Sequence, residues 1–192
     1  MISVVGCLTI LAYIVWPSQR PAITFPPIVP TEDHHIEKSM LVMTLNRTES
    51  TDPAVRVTIT NYHYSTTLSV LNWNSPFDEQ AVAQGVFTIW DHDTGVEIKA
   101  SDIKIDRILA PKKYDFLELL PRHAVTKDVP VKAEGITFKP GKNYDVKVSG
   151  RWKAVWHADA KVSGEQRLRL MGGPTGLVNW DYESNVFKLH VW

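Results

Sequence analysis

The chain has 192 residues, 44% of them apolar and 22% charged, enough for one domain with a sizeable core plus a leader. Lys plus Arg and Asp plus Glu balance at 21 each, which argues against a global electrostatic pull toward nucleic acid or anionic membrane. The single cysteine, Cys7, lies in an N-terminal apolar run, so the globular part can form neither an internal disulfide nor a cysteine zinc site nor a thiol nucleophile.

Residues 2–16 are apolar and uncharged, and Pro17 ends the run. Such a run is short for a membrane span of ~20 residues and suits the apolar core of a secretory signal. No Lys or Arg precedes it and no small-x-small cleavage site follows. The reading is a signal peptide or anchor over 1–18, with a membrane anchor at residues 2–16 as the alternative to secretion. Five prolines within residues 17–33, Pro17, Pro21, Pro26, Pro27 and Pro30, mark an extended stretch, and the Pro-rich spacer is assigned to 19–36. Folded structure is expected over 37–192. The sequon Asn46-Arg47-Thr48 marks Asn46 as a glycosylation acceptor and agrees with export.

Eight strands are expected. The first covers 39–48. The second covers 54–61, where Val55, Val57 and Ile59 alternate with Arg56, Thr58 and Thr60. A third at 66–73 ends on Trp73, a core residue, and a fourth at 85–91 runs through Val86 to Trp90. Asp91-His92-Asp93-Thr94-Gly95 turns the chain into a fifth strand near 96–99. Residues 114–120 read as a short helix or a strand, and 126–133 as the next strand. Lys139-Pro140-Gly141-Lys142 has the composition of a type II turn. It opens a long strand over 142–156 with Tyr144, Val146 and Val148 on its inner face. The last strand is 183–192, with Phe187, Leu189 and Val191 on one face. Short strands, turn signals and no long helix predict an all-β, antiparallel β-sandwich.

No His-Glu-x-x-His, Gly-x-Ser-x-Gly or glycine-rich phosphate loop occurs, so no catalytic residue, metal ligand or cofactor is assigned and the protein is read as a non-enzyme. His34-His35 with Glu32, Asp33 and Glu37 is the densest ligand-type cluster, but adjacent histidines diverge in an extended chain. Asp91 and Asp93 lack the distal Glu of a calcium loop and read as a hairpin turn. Asp115 and Glu118 would align only on a helix. His63, His92, His123, His157 and His190 stand singly.

Aromatic residues are the remaining candidates. In an unbroken strand Trp152 and Trp156 share the parity of Tyr144, Val146 and Val148, which makes them core or sheet-edge residues. A bulge at Gly150 would shift the register and present them beside Arg151 and Lys153 as a protein hot spot or sugar-stacking platform. Trp180, after the glycine-rich 172–176 loop, is the best candidate for an exposed aromatic. Arg151, Trp152, Trp156 and Trp180 are therefore the expected binding residues.

Three stretches, in order, carry a family likeness: Val55-Arg56-Val57-Thr58-Ile59-Thr60-Asn61, then Phe138-Lys139-Pro140-Gly141-Lys142 with Tyr144-Asp145-Val146, then Tyr182-Glu183-Ser184-Asn185-Val186-Phe187-Lys188-Leu189. Together they resemble the N-terminal propeptide of the deuterolysin family of fungal zinc endopeptidases, over roughly 40–192. The resemblance implies an immunoglobulin-like sandwich, secreted by a fungus, of the kind that precedes a protease and helps it fold or stay latent. Without the His-Glu-x-x-His of such an enzyme, the expectation is a propeptide-like module standing alone. It would bind a secreted protease or another protein, with polysaccharide binding or a structural surface role as alternatives.

Overall fold

The computed structural model describes residues 40–101, 105, 107, 111–157 and 180–192. The chain divides into two units, Met1–His34 and His35–Trp192, and all described residues belong to the second. The leader, the spacer, Cys7, the His34-His35 cluster and the 172–176 loop lie outside the described residues.

The first five strands are β1 (Leu41–Asn46), β2 (Ala54–Asn61), β3 (Leu68–Leu71), β4 (Phe87–Asp91) and β5 (Glu97–Ile98). A 3₁₀ turn at Lys113–Asp115 leads into β6 (Phe116–Leu119) and β7 (Ala124–Pro130). The last four are β8 (Asn143–Arg151), β9 (Val155–His157), β10 (Asp181–Glu183) and β11 (Phe187–His190).

Apolar alternation decides which faces meet. Val55, Val57 and Ile59 of β2 are fully buried, while Arg56, Thr58 and Thr60 between them are partly exposed. Tyr144, Val146 and Val148 do the same in β8. β2 is central to a β1-β2-β7 sheet. β8 is central to a second sheet, with β4 and then β5 on one side and β10 and β11 along the other. The third sheet is β6-β3-β9, and every pairing is antiparallel. Side chains from all three sheets meet in one core, among them Leu45, Ile59, Val70, Ile89 and Val146. Burying each such side chain contributes about 1.5–3 kcal/mol. This is an all-β sandwich architecture, as the pattern predicts.

β3 is buried along its whole length because it is covered on both faces. Leu68 and Val70 join the main core, whereas Leu71 packs with Ala154 and Trp156 in a smaller cluster. Both predicted turns are present. Gly141 has φ +77 and the Lys142 N–H donates to the Lys139 carbonyl at 3.3 Å, as a type II turn requires. At the other turn Asp91 Oδ1 accepts from the Asp93 and Thr94 N–H groups at 3.0 and 2.9 Å.

Two expectations change and one alternative is settled. The single strand over 142–156 is two strands in different sheets: β8 ends at Arg151, and β9 pairs with β3. Of the two readings of residues 114–120, the strand is the one present, after a 3₁₀ turn, so Asp115 and Glu118 do not align on a helix; Asp115 accepts the Lys112 N–H at 2.6 Å. The terminal strand is split between β10 and β11, whose partners on β8 are Ser149–Arg151 and Asn143–Val146. Ser184, Asn185 and Val186 there oppose only Lys147 and Val148, which is a β-bulge.

Candidate functional site

The chain turns from one sheet to another between Trp152 and Ala154, and this corner places the aromatic residues. Gly150 introduces no bulge, because it stays in register opposite Tyr182. A Cβ at Gly150 would lie 2.6 Å from the Tyr182 hydroxyl and 2.8 Å from its Cζ, so the glycine admits the tyrosine ring. Tyr182 stacks at a tilt on Trp152, centroids 4.4 Å apart, and donates to the Asn74 carbonyl at 2.6 Å. Burial, with the Asp78 charge adding to it, pushes the Tyr182 phenol pKa up.

With no bulge to expose them, Trp152 and Trp156 are 3% and 6% exposed, which corrects their assignment as projecting contact residues. They also belong to different clusters. Trp152 is in the main core. Trp156 covers the outer face of β3 and meets Phe116 edge-on at 5.2 Å. Trp180 is half-buried against the main core, and its carbonyl accepts the Trp152 N–H at 2.8 Å.

Trp152 and Trp180 nonetheless come together in the lining of one groove of about 400 Å³ between β1 and β10, with Arg151 tied to its Asp181 wall. Leu41, Val42 and Met43 form one wall, Trp180 to Glu183 the other, and buried Trp152 lies at its base. Arg151 Nε donates to Asp181 Oδ1 at 2.7 Å on the rim, and that carboxylate raises the guanidinium pKa. Lys147 and Glu183 pair beside it at 2.9 Å. Trp156 takes no part.

The β1 wall is a sheet edge. The Tyr62 N–H donates to the Met40 carbonyl on the β2 side, so even-numbered residues of this segment pair inward. Leu45 points its N–H and carbonyl the other way, to Asn185 Oδ1 at 2.7 Å and Nδ2 at 3.1 Å. By the alternation of an antiparallel ladder, the backbone groups of Leu41 and Met43 face the groove as well.

A family model for an immunoglobulin-like domain matches residues 40–191, which takes in every described strand. The chain belongs to the immunoglobulin-like domain family. It is also 29% identical over 120 residues to an "Uncharacterized secreted protein" of Arthroderma benhamiae, a match covering 62% of this chain and 61% of that one. The narrower likeness to deuterolysin propeptides rests on the three quoted stretches alone.

In this immunoglobulin-like domain those stretches have architectural roles. Asn61, fully buried, donates from Nδ2 to the Thr66 and Leu119 carbonyls at 2.8 and 2.9 Å and accepts the His63 N–H at 2.9 Å. Tyr182 locks over Gly150, Ser184 Oγ accepts the Val148 N–H at 2.9 Å across the bulge, and Asn185 reaches β1. His63 Nδ1 accepts the Thr66 N–H at 2.9 Å, a turn-capping role.

His92 links Asp145 Oδ2 at 2.9 Å to Lys188 Nζ at 2.7 Å on the exposed face of β8 and β11. Asp91 is held below the usual carboxylate range by the Thr94 N–H and hydroxyl. No group of three His, Cys, Asp or Glu that could hold a metal is found among the described residues. Asn46 is exposed at the end of β1.

Sequence reasoning missed the Leu41–Met43 edge. The alternation of Leu41, Met43 and Leu45 announces a strand, but no residue in it announces that, among the described residues, no strand pairs with its other side.

Proposed function

We propose that this immunoglobulin-like domain is a secreted, non-catalytic module that binds a partner protein by taking an extended segment of it along the outer edge of β1. One observation carries the reading: the Asn185 amide already adds to that edge at Leu45, donor to acceptor and acceptor to donor, as a strand would. The groove continues the same edge past Met43 to Leu41. Main-chain hydrogen bonds would supply affinity, and Val42, Trp180 and the apolar base would select side chains. Export is supported by the apolar leader, the Asn46 sequon and the secreted relative.

A deuterolysin-type protease is the first partner to test, on the strength of the propeptide-like stretches. Titration calorimetry of the full chain against the mature protease, with an activity assay on the same samples, tests this. Saturable heat with loss of activity supports a free-standing restraint on the protease. No heat and full activity would remove the protease as partner.

A further inference from the structure

Leu189 and Val191 are buried, so alternation turns Lys188, His190 and Trp192 to the outside. Trp73, Trp90 and Trp180 are half-buried and Trp152 and Trp156 buried; Trp192, at 75%, is the exposed tryptophan among the described residues. Its ring is not loose. It meets the His190 ring edge-on with centroids 4.3 Å apart, and His190 Nδ1 is itself fixed on Asn143 Oδ1 at 2.9 Å.

Two hollows of about 460 and 170 Å³ share Arg47, Thr48, Ser50, Thr51 and Trp192 as lining, and the larger also takes in Glu49 and Arg56. The larger is within the range of small-ligand sites, about 300–1,000 Å³. The same lining carries the side chains of Arg47, Glu49, Ser50 and Thr51. Among the described residues Arg47 forms no ion pair, unlike its neighbour Arg56, which is held by Asp128 at 2.7 Å. Ser50 Oγ accepts the Asp52 N–H at 3.1 Å, which leaves its proton available to a ligand.

From this juxtaposition we infer that the hollow beneath Trp192 binds a pyranose sugar ring. A pyranose presents an apolar C–H face and a rim of hydroxyls. The indole face covers the first, while Ser50, Thr51 and Arg47 meet the second. Arg47 also fits a ring carboxylate, so a uronate binds more tightly than a neutral sugar. The ring has two possible sources, a free oligosaccharide or a glycan on Asn46, which directly precedes Arg47. The site is separate from the β1 groove and does not depend on it.

The test is calorimetry of the full chain, wild type and Asn46→Gln, against a galacturonate trimer and an N-acetylglucosamine trimer. Saturable binding to both proteins, tighter for galacturonate, assigns the hollow to free sugar. Binding to Asn46→Gln alone assigns it to the chain's own glycan. Trp192→Ala should weaken either by about tenfold or more with an unchanged melting temperature, since the side chain is exposed. Binding of neither trimer to either protein, or full binding by Trp192→Ala, overturns the inference.

Discussion

Asn185 and Leu45 are 140 residues apart in sequence, yet the side-chain amide of one satisfies both backbone groups of the other. Leu45 is 1% exposed with the amide in place, while Asn185 itself is at the surface. The bulge at Ser184–Val186 is what lifts Asn185 out of the β8 ladder far enough to reach β1. It thereby ties the sheet built on β8 to the sheet built on β2.

Asn185→Ala is therefore expected to destabilise the domain by about 1–3 kcal/mol, the cost of leaving buried backbone groups unpaired. Urea denaturation measures the loss, and amide exchange at Leu45 should accelerate. An unchanged urea midpoint would show that the amide contributes nothing to joining the sheets.

How much was legible follows from the range of each interaction. The alternation of β2 and β8 and the Pro140-Gly141 turn are local, and they read directly. The corner after β8 did not, because Trp152, Ala154 and Trp156 continue the even parity of Tyr144, Val146 and Val148 while the chain changes sheets. The Tyr182-Glu183-Ser184-Asn185 stretch was legible as a pattern but not as a mechanism. Each of its roles depends on a residue far away: Asn74 for the tyrosine, Val148 for the serine, Leu45 for the asparagine. Leu189 and Val191 mark the core face of their strand by parity, but nothing local says what surrounds the opposite face, where Trp192 lies.

Gly150→Ala tests the close approach at the corner. Tyr182 has little room to yield, being buried against Trp152 and bonded to Asn74. Overpacking there is expected to cost about 1–3 kcal/mol. Tyr182→Phe alone should cost about 1 kcal/mol by leaving the Asn74 carbonyl without its donor. Because that change also removes the atom nearest the new Cβ, the double variant should lose less than the sum of the two. Strict additivity in denaturant unfolding would contradict this contact.

Asp128 gives the pH dependence. Arg56 donates to its two oxygens at 2.7 and 2.9 Å and Thr48 to one at 2.8 Å, which holds its pKa at about 2. An unfolded Asp titrates near about 3.9, so the unfolded chain takes up the proton first. The contribution is thus fully present above about pH 4 and is lost as the pH falls through about 2. Asp128→Asn should flatten the fall in urea midpoint across that window. The pair is exposed, so added salt should shrink the difference between the two proteins. Parallel acid profiles for both would assign the acid sensitivity to other carboxylates.

The β1 edge gives the last prediction. Val42 is 38% exposed and lines the groove, while its backbone lies in the β2 ladder. A lysine there should leave folding within about 0.5 kcal/mol of wild type, as for most surface substitutions. It would also put a charge where an incoming strand must pack, a device by which natural edge strands avoid pairing. Val42→Lys is therefore expected to weaken capture of a bound partner at least tenfold, about 1.4 kcal/mol. Amide exchange supplies the second reading: the Leu41 and Met43 amides should exchange quickly in the free protein and become protected in the complex. Tight binding by Val42→Lys, with those two amides still exchanging quickly, would place the partner on another surface and leave the groove without a role in docking.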